Sequence, residues 1–361
     1  MTSTYGPVAS RSMPAEWDRH EATWIAWPHH EPDWPGKLEP VQWVFADIVR
    51  VLHVSERVEI LCHDEATLER ARACLDRVGV EREGYRLHLA PNDRCWLRDS
   101  APTAVRTAEG GIRWVRWRFN AWAKYENYQQ DAGVPDVVAR MSKWETIEAR
   151  RPDNDQPLVL EGGAIDTDGQ GTLLTTEECL LSDVQMRNPG LTRRGYERAF
   201  ADYLGIRRVI WLGRGCAGDD THGHVDDIAR FVGPGLVVVA YESDVRDPNH
   251  EPSVDNMRRL RKATDASGRP LRIVTLPMPQ PVVFEGQRLP ASYANFYIAN
   301  TCVLVPTYND TKDRFALATL ADLFPDRQVV GIHALDLVWG LGTLHCLTQQ
   351  QPAASYEQRR L

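Results

Sequence analysis

The sequence lacks the marks of several protein classes. Its seven cysteines are odd in number and include no Cys-x-x-Cys pair, which argues against both a disulfide framework and a zinc ribbon. No apolar run approaches the length of a membrane-spanning helix, and the N-terminal stretch has no apolar segment like that of a signal peptide. These absences together predict a cytoplasmic location, where thiols stay reduced.

An excess of basic residues is absent as well. The 361 residues carry a formal net charge of -8, which argues against nucleic acid as the main partner because phosphate binding needs a basic patch. Hydrophobic residues make up 43% and charged residues 25%, the ordinary balance of a globular protein that can bury a large core. An acidic chain is also compatible with a small cationic substrate.

Low-complexity tracts and strict sequence repeats are also absent, and strand-like runs alternate with helix-like runs along the chain. Apolar residues at helical spacing predict a helix over 39–54, and alternating apolar residues predict a strand over 58–62. Asp64 is a good N-cap for the helix that follows. The alternation predicts the α/β class. Residues 1–13 are interpreted as a flexible leader ahead of a single catalytic domain over 14–361.

Cys346 is the first candidate for chemistry. It lies in the segment GTLHCLTQQ, residues 342–350, among small and polar residues. A thiolate is a strong nucleophile once a nearby cation or base lowers the pKa of the thiol. A buried and inert structural cysteine is nevertheless the commoner outcome for a lone cysteine. The segment alone therefore does not identify a catalytic site.

A second candidate is the segment DDTHGHVDD, residues 219–227. If a strand begins at residue 224, His224 and Asp226 share one face, and an imidazole beside a carboxylate is the pairing that a general acid/base needs. The set of His222, His224 and Asp226 could instead bind a metal ion. A polar turn without a role is the third reading, and the segment leaves all three open.

Two further carboxylates occupy turn-like positions. Asp99 lies shortly before Pro102, which favours an extended or turn backbone nearby. A carboxylate there could hold a guanidinium through paired hydrogen bonds, and Trp96 could stack on a cation. Glu161 ends an apolar run before two glycines and could orient a histidine. For each segment alone, a surface loop or a simple turn is the commoner outcome.

Short motifs with a specific order and spacing run nearly from end to end of the chain. They are MPAEW (13–17), HEATW (20–24), AWP (26–28), WLRD (96–99), FNAW (119–122), LEGG (160–163), RNP (187–189), GHVD (223–226) and HCLTQQ (345–350). Through these motifs the chain resembles the agmatine deiminase and bacterial-type peptidylarginine deiminase family, part of the guanidine-modifying pentein superfamily.

The resemblance implies a fold and a set of roles. The fold would be a five-bladed α/β propeller with pseudo-fivefold symmetry and a central site. The implied roles are Cys346 as the nucleophile, His224 as the acid/base, Glu161 as the carboxylate that partners the histidine, Asp99 and Asp226 as the carboxylates that hold the guanidinium nitrogens, and Trp96 as an aromatic residue beside the substrate.

The implied reaction is hydrolysis of agmatine to N-carbamoylputrescine and ammonia, a step from arginine toward putrescine, through a covalent thiouronium on Cys346. It needs no metal and no organic cofactor, its partner is a small cationic guanidine, and relatives often form homodimers. Arginine, peptidyl-arginine and other substituted guanidines are alternative substrates. A metallohydrolase built on His222, His224 and Asp226 is a different class, and a catalytically silent binding protein is a third.

Two departures from the family pattern lie near the expected pocket. Many agmatine deiminases continue the aromatic run as Trp-Gly-Gly-Lys, whereas this chain has the shorter Trp-Ala-Lys at residues 122–124. Agmatine-selective members tend to have three consecutive glycines where this chain has Gly-Leu-Gly at residues 340–342. Both departures leave the expected chemistry intact and bear on the tail of the substrate.

Overall fold

The structure, a computed structural model, describes residues 11–354. Helices alternate with strands throughout, which confirms the α/β class. Residues 1–10 of the predicted leader lie outside the described part. Arg11 and Ser12 form a strand and the side chain of Met13 is buried, so the ordered chain begins before residue 14. A single domain over 14–361 stays a prediction.

Five sheets of the described chain share one order of elements. In each sheet, an inner strand pairs antiparallel with a second strand, and a third strand pairs parallel with the second. At least one helix joins the second strand to the third, because parallel neighbours need a crossover connection. Five such units match the pseudo-fivefold symmetry that the resemblance implies. A closed, propeller-like arrangement of the units stays a prediction.

The N-terminal part of the described chain confirms the predicted elements. Its elements are β1 (Arg11–Ser12), β2 (His20–Ala26), α1 (Leu38–Leu52), β3 (Arg57–Cys62), α2 (Glu65–Arg77) and β4 (Tyr85–Leu89). The helix predicted over 39–54 and the strand predicted over 58–62 correspond to α1 and β3. The side chain of Asp64 accepts a hydrogen bond from the backbone N–H of Thr67 at 2.7 Å, as expected of an N-cap.

The next three units follow one another along the chain. Their elements are α3 (Leu97–Ser100), β5 (Thr103–Thr107), β6 (Ile112–Arg116), α4 (Val134–Ser142), β7 (Thr146–Glu148), β8 (Asp166–Thr167), β9 (Thr172–Thr176), α5 (Glu177–Leu181), α6 (Arg193–Leu204), β10 (Arg208–Leu212), β11 (Ala229–Gly233), β12 (Leu236–Tyr241), α7 (His250–Lys262) and β13 (Arg272–Pro277).

The C-terminal part completes the fifth unit and returns to the first. Its elements are β14 (Val283–Phe284), β15 (Gln287–Arg288), β16 (Tyr297–Ile298), β17 (Cys302–Thr307), α8 (Asp313–Leu323), β18 (Gln328–His333), α9 (Leu344–Leu347) and β19 (Gln349–Pro352). Strand β19 pairs antiparallel with β2, with Gln349 opposite Trp24, so that distant segments of the chain share one sheet. Within residues 11–354, no helix is both long and apolar enough to span a membrane.

A short helical segment precedes the inner strand in four of the five units. Helix α3 precedes β5, turns at 162–164 and 225–227 precede β8 and β11, and α9 precedes β19. Helix α3 contacts both α9 and the turn at 162–164, and the latter contacts the turn at 225–227. The repeated topology therefore brings residues from distant segments to one place, where loops on a rigid scaffold commonly carry function.

Candidate active site

The thiol of Cys346 lies in α9, nearly buried, at the junction of two units. The amide Nδ2 of Asn295 donates to its sulfur at 3.1 Å, and Oδ2 of Asp226 lies 3.7 Å from the sulfur. The carbonyl oxygen of the Asn295 side chain accepts from the hydroxyl of Thr343 at 2.8 Å and from the backbone N–H of His345 at 3.0 Å. Asn295 thus fixes the turn that carries the cysteine.

The surroundings of Cys346 favour the protonated form of its thiol. Burial raises the pKa of this thiol well above its usual value, and the negative charges of Asp226, Asp227 and Asp99 raise the pKa further. A thiolate is the reactive form of cysteine. A cation must therefore enter the site before Cys346 becomes a good nucleophile.

His224 lies between two carboxylates. Its Nδ1 is 3.8 Å from Oδ1 of Asp99, and its Nε2 is 3.6 Å from Oε2 of Glu161. Among the described residues, neither ring nitrogen has a hydrogen-bond partner, although the ring is buried. Burial lowers the pKa of His224, but the charge of Asp99 and interactions with Cys179 and Glu161 raise that pKa well above its usual value. The buried ring is therefore an imidazolium.

Glu161 is held by a buried arginine. The Nε of Arg187 donates to Oε1 of Glu161 at 3.0 Å, and both side chains are fully buried. Burial raises the pKa of Glu161, but the charges of Arg187 and His224 and the hydrogen bond from Arg187 outweigh it and lower this pKa to about 2. Glu161 is therefore a permanent anion beside His224.

Asp99 receives two hydrogen bonds that fix its carboxylate. The indole Nε1 of Trp122 donates to Oδ2 at 2.9 Å, and the backbone N–H of Gly163 donates to Oδ1 at 3.0 Å. Burial, together with the charges of Asp226 and Glu161, raises the pKa of Asp99 to about 6. A Cβ atom at residue 163 would lie 2.9 Å from Oδ1 of Asp99 and 2.5 Å from the ring of His224, so this position requires glycine.

Asp226 is paired on one oxygen and free on the other. Its Oδ2 lies 2.6 Å from Nδ1 of His345, whereas Oδ1 is buried without a hydrogen-bond partner among residues 11–354. Burial raises the pKa of Asp226, but the hydrogen bond and charge of His345, together with the charges of His224 and Arg230, outweigh burial, and the net pKa is lowered. Asp226 therefore offers an ionised oxygen that lacks a donor.

A cavity of about 220 Å³ leads to Asp99 and Cys346. Tryptophans 96, 122 and 339 line it, and Trp34 packs against Trp96 with ring centroids 5.6 Å apart. A Cβ atom at Gly340 or Gly342 would lie 2.8 Å from the ring of Trp96, so both glycines let the backbone approach this wall. The cavity therefore offers a path to the thiol with aromatic walls.

Both departures from the family pattern border this cavity. Leu341 lines it and has a left-handed backbone, with φ of 66°, a conformation that glycine adopts at lower cost. Ala121, Trp122 and Ala123 also have positive φ, at 49°, 58° and 54°. Residues other than glycine in this region carry local strain, which clusters at functional sites.

Charged side chains at the cavity wall are paired with one another. Lys124 and the hydroxyl of Tyr125 both donate to the carboxylate of Asp220. The Nε of Arg94 lies 3.4 Å from Oδ1 of Asp33. Lys124 therefore links the loop that carries Trp122 to the loop that precedes His224.

The structure brings together Cys346, His224, Glu161, Asp99 and Asp226, and it places Trp96 in the cavity wall. The strand predicted from residue 224 is wrong. Residues Val225–Asp227 form a 3-10 turn and the strand begins only at Ala229, because the unpaired turn precedes the inner strand in this unit. Asp99 lies in one helical turn, and the extended residue before Pro102 is Ala101.

The metal-binding set of His222, His224 and Asp226 is not assembled. The ring of His222 hydrogen-bonds instead to the hydroxyl of Ser182 at 3.1 Å. Within residues 11–354, His222 belongs to neither of the two groups whose ligand atoms lie within 4.8 Å of one another. Those groups are Glu161, Cys179 and His224, and Asp226, Asp227 and Cys346.

Sequence reasoning missed several residues of this site. Asn295 carried no signal, because it stands in the unremarkable segment SYANF. The motifs FNAW, RNP and HCLTQQ contain Trp122, Arg187 and His345. Each of these side chains can donate a hydrogen bond, so the motifs could have suggested that they pair with the candidate carboxylates. Glu16 lies in the MPAEW motif in the same way.

Comparisons with known proteins agree with this geometry. The Porphyromonas-type peptidyl-arginine deiminase family matches residues 12–352. An agmatine deiminase of Pseudomonas aeruginosa is 38% identical over 94% of this chain and 95% of its own length, and one of Ectopseudomonas mendocina is equally similar. The structure of agmatine deiminase from Enterococcus faecalis superposes with a TM-score of 0.87 at 33% identity, over 98% of this chain and 100% of that one.

Proposed function

Since this chain belongs to the Porphyromonas-type peptidyl-arginine deiminase family, we propose that it hydrolyses agmatine to N-carbamoylputrescine and ammonia. One observation carries the proposal. A cysteine, an imidazolium and two carboxylates, Cys346, His224, Asp99 and Asp226, converge at the inner end of an aromatic cavity. The agmatine deiminase names of full-length relatives support this choice of substrate.

The two aspartates bind and orient the guanidinium. Planar N–H groups pair well with carboxylate oxygens, and Oδ1 of Asp226 is an acceptor that has no donor among residues 11–354. Asp99 is already aligned by its bonds to Trp122 and Gly163. Such prior alignment reduces the entropic cost of reaching the reactive geometry.

The charge of the substrate activates the nucleophile. A guanidinium beside Cys346 opposes the three carboxylates that raise the pKa of the thiol, so the thiol releases its proton to solvent and the thiolate forms when the substrate binds. The sulfur then bonds to the central carbon of the guanidinium. His224 donates its proton to the departing nitrogen, which leaves as ammonia, and a thiouronium remains on Cys346.

Water completes the reaction on the same residues. His224, now neutral, accepts a proton from a water molecule that adds to the thiouronium carbon. The bond to Cys346 then breaks as the thiolate leaves, and the hydroxyl on the carbon loses its proton to solvent, which forms the ureido group. Glu161, held ionised by Arg187, stabilises the imidazolium at the start and end of the cycle.

The charges of the cavity wall support agmatine over free arginine. The carboxylate of arginine needs a cationic partner. Arg94, a permanent cation among the cavity-lining residues, is already paired with Asp33, and Lys124, which contacts the lining residue Asp220, is paired with that carboxylate. Agmatine has no carboxylate and makes no such demand. A homodimer and a cytoplasmic location stay predictions from the sequence.

The test is ammonia and ureido-product formation by the purified protein. Agmatine, arginine and a blocked arginine peptide are supplied in parallel, and turnover of agmatine is expected to dominate. Cys346→Ala should abolish turnover while the circular dichroism spectrum is unchanged, and Cys302→Ala, a buried cysteine in β17, is the matched control. A fully active Cys346→Ala variant would overturn the mechanism, and dominant turnover of another guanidine would overturn the substrate.

A further inference from the structure

His345, the residue before the candidate nucleophile, bridges two carboxylates. Its Nδ1 lies 2.6 Å from Oδ2 of Asp226, and its Nε2 lies 2.8 Å from Oε2 of Glu16. The ring is buried. An ionised carboxylate can only accept hydrogen bonds, so both ring nitrogens must donate if both carboxylates are ionised.

Glu16 is ionised because basic groups surround it. Arg230 lies 2.9 Å from its Oε1, and Arg98 lies 3.3 Å from its Oε2. The backbone N–H of Ile298 also donates to Oε1 at 2.8 Å. Burial raises the pKa of Glu16, but the charges of Arg230, His345 and Arg98 outweigh it and hold this pKa well below its usual range.

Charge balance gives an independent argument for a proton on each ring nitrogen. Arg230 also pairs with Asp166 at 2.9 Å, which extends the buried chain of ionic contacts. The anions of this chain are Asp226, Glu16 and Asp166, and its cations are Arg98, Arg230 and His345 if the histidine is doubly protonated. A neutral His345 would leave one buried negative charge unbalanced, which is costly.

We propose that His345 is a doubly protonated imidazolium that holds Asp226 ionised and in place, which makes it a positioning residue of this site. One N–H keeps Oδ2 of Asp226 away from the substrate, and this leaves Oδ1 as the acceptor. The other N–H anchors the ring to Glu16, so the imidazole cannot turn. As a contribution to deimination, this role rests on the proposed function.

The groups around Asp226 determine what loss of the imidazolium does. The groups that favour its ionised form are His345, His224 and Arg230, and the groups that oppose it are Asp99, Asp227 and Cys346. Without the charge of His345, the three groups that oppose ionisation have a larger net effect on the pKa of Asp226. Asp226 then takes up a proton at a higher pH. Protonated Asp226 no longer binds a guanidinium through an ionised oxygen.

The kinetic test compares His345→Gln with the unmodified enzyme on agmatine. Glutamine retains an amide donor but no charge. We expect kcat/KM at pH 7 to fall by about tenfold, and the acidic limb of its pH profile to move to higher pH, so that the loss shrinks toward alkaline pH. His53→Gln, at the end of α1, is the matched control. An unchanged acidic limb overturns the proposal.

The second test reads the protons directly in the full-length enzyme labelled with ¹⁵N-histidine. His345 should show two protonated ring nitrogens at pH 7, and a ring with one unprotonated nitrogen at that pH overturns the proposal. Its signal is the one lost in His345→Gln. If that variant does not fold, the signal of His345 is assigned with two other variants. It is the signal that persists in His224→Asn and shifts in Cys346→Ala. If the enzyme deiminates no guanidine, the proposed function fails, and this measurement still decides the state of His345.

Discussion

The indole of Trp122 donates its N–H to Oδ2 of Asp99 at 2.9 Å, across 23 positions of the chain. Trp122 has a left-handed backbone, and Nε2 of Gln185 donates to its carbonyl oxygen at 3.1 Å. The same amide nitrogen donates to the backbone of Asp220 at 3.0 Å. A loop with unfavourable backbone angles is thus fixed from outside, so that one indole reaches one carboxylate.

Removal of this hydrogen bond should impair substrate binding. Trp122→Phe keeps an aromatic ring in the cavity wall but leaves Oδ2 of Asp99 without its donor. A hydrogen bond to a charged group contributes about 1.5–3 kcal/mol, so kcat/KM for agmatine should fall by about tenfold or more. The pKa of Asp99 should rise above its present value of about 6, and the acidic limb of the pH profile should move upward with it.

The matched control for this variant is Trp117→Phe. Trp117 is equally buried, and its indole donates to the hydroxyl of Thr103 at 2.9 Å, but it does not line the cavity. For both variants, kcat/KM is measured by steady-state kinetics from about pH 5 to about pH 9, a range that includes the pKa of Asp99. Equal losses in the two variants would mean that the effect of Trp122 is general destabilisation.

The raised pKa of Asp99 implies a cost in stability. Its shift from 3.8 to about 6 corresponds to ~3 kcal/mol of unfavourable free energy above pH 6. Asp99→Asn removes this cost, but its NH2 group would face one of the two donors, the indole of Trp122 or the backbone N–H of Gly163. The free energy of unfolding at pH 7 should therefore rise by ~1–2 kcal/mol, while turnover is lost.

The sign of the pH dependence distinguishes this explanation from improved packing. The penalty is present where Asp99 is ionised in the folded state, above about pH 6, and it disappears once the carboxyl is protonated in both states, below its unfolded pKa of 3.8. Urea unfolding at several pH values should therefore show Asp99→Asn and the unmodified enzyme converging as the pH falls. A stability gain that persists at pH 3.8 would contradict the prediction.

A cationic alkylating agent should react with Cys346 faster than a neutral one. In the empty site the thiol is protonated because burial and three carboxylates raise its pKa, and a bound cation reverses part of that effect. The measured quantity is the ratio of the alkylation rate constants of 2-chloroacetamidine and 2-chloroacetamide at pH 7. Since only the thiolate reacts, this ratio should be at least about tenfold larger for Cys346 than for free glutathione.

Mass spectrometry of the intact chain measures this reaction. Cys346→Ala should block the fast phase, because burial raises the pKa of Cys62 to about 12 and that of Cys95 well above its usual value, leaving both inert. The rate advantage of the cationic reagent should decrease as the pH rises, because the thiol then ionises without the charge of a bound cation. An equal rate for both reagents at pH 7 would show that the carboxylates do not control this thiol.

The sequence identifies the reactive residues. It is much less informative about the residues that hold them in place. Cys346, His224 and Glu161 stand in motifs whose order specifies a family, and the structure places them within one site. The α/β class and helix α1 were equally accessible, because apolar spacing reports directly on burial. The fivefold repeat left no trace in residue identity, since each unit needs only an apolar pattern to form its strands.

The supporting residues were harder to predict because their partners are distant. Asn295 contacts Cys346 across 51 positions, and Glu16 contacts His345 across 329. No local pattern encodes such a pairing. The turn at His224 was also unpredictable, because the alternation that suggested a strand came from residues that point into the site from an irregular backbone.

The pairing of β19 with β2 has a consequence for biosynthesis. The sheet next to Cys346 joins Gln349–Pro352 to His20–Ala26, so it cannot form until the ribosome has made both. Closure of the long loop between Ala26 and Gln349 makes this pairing a late contact in folding. A nascent chain therefore holds Cys346 in an unfinished unit until both segments have been made.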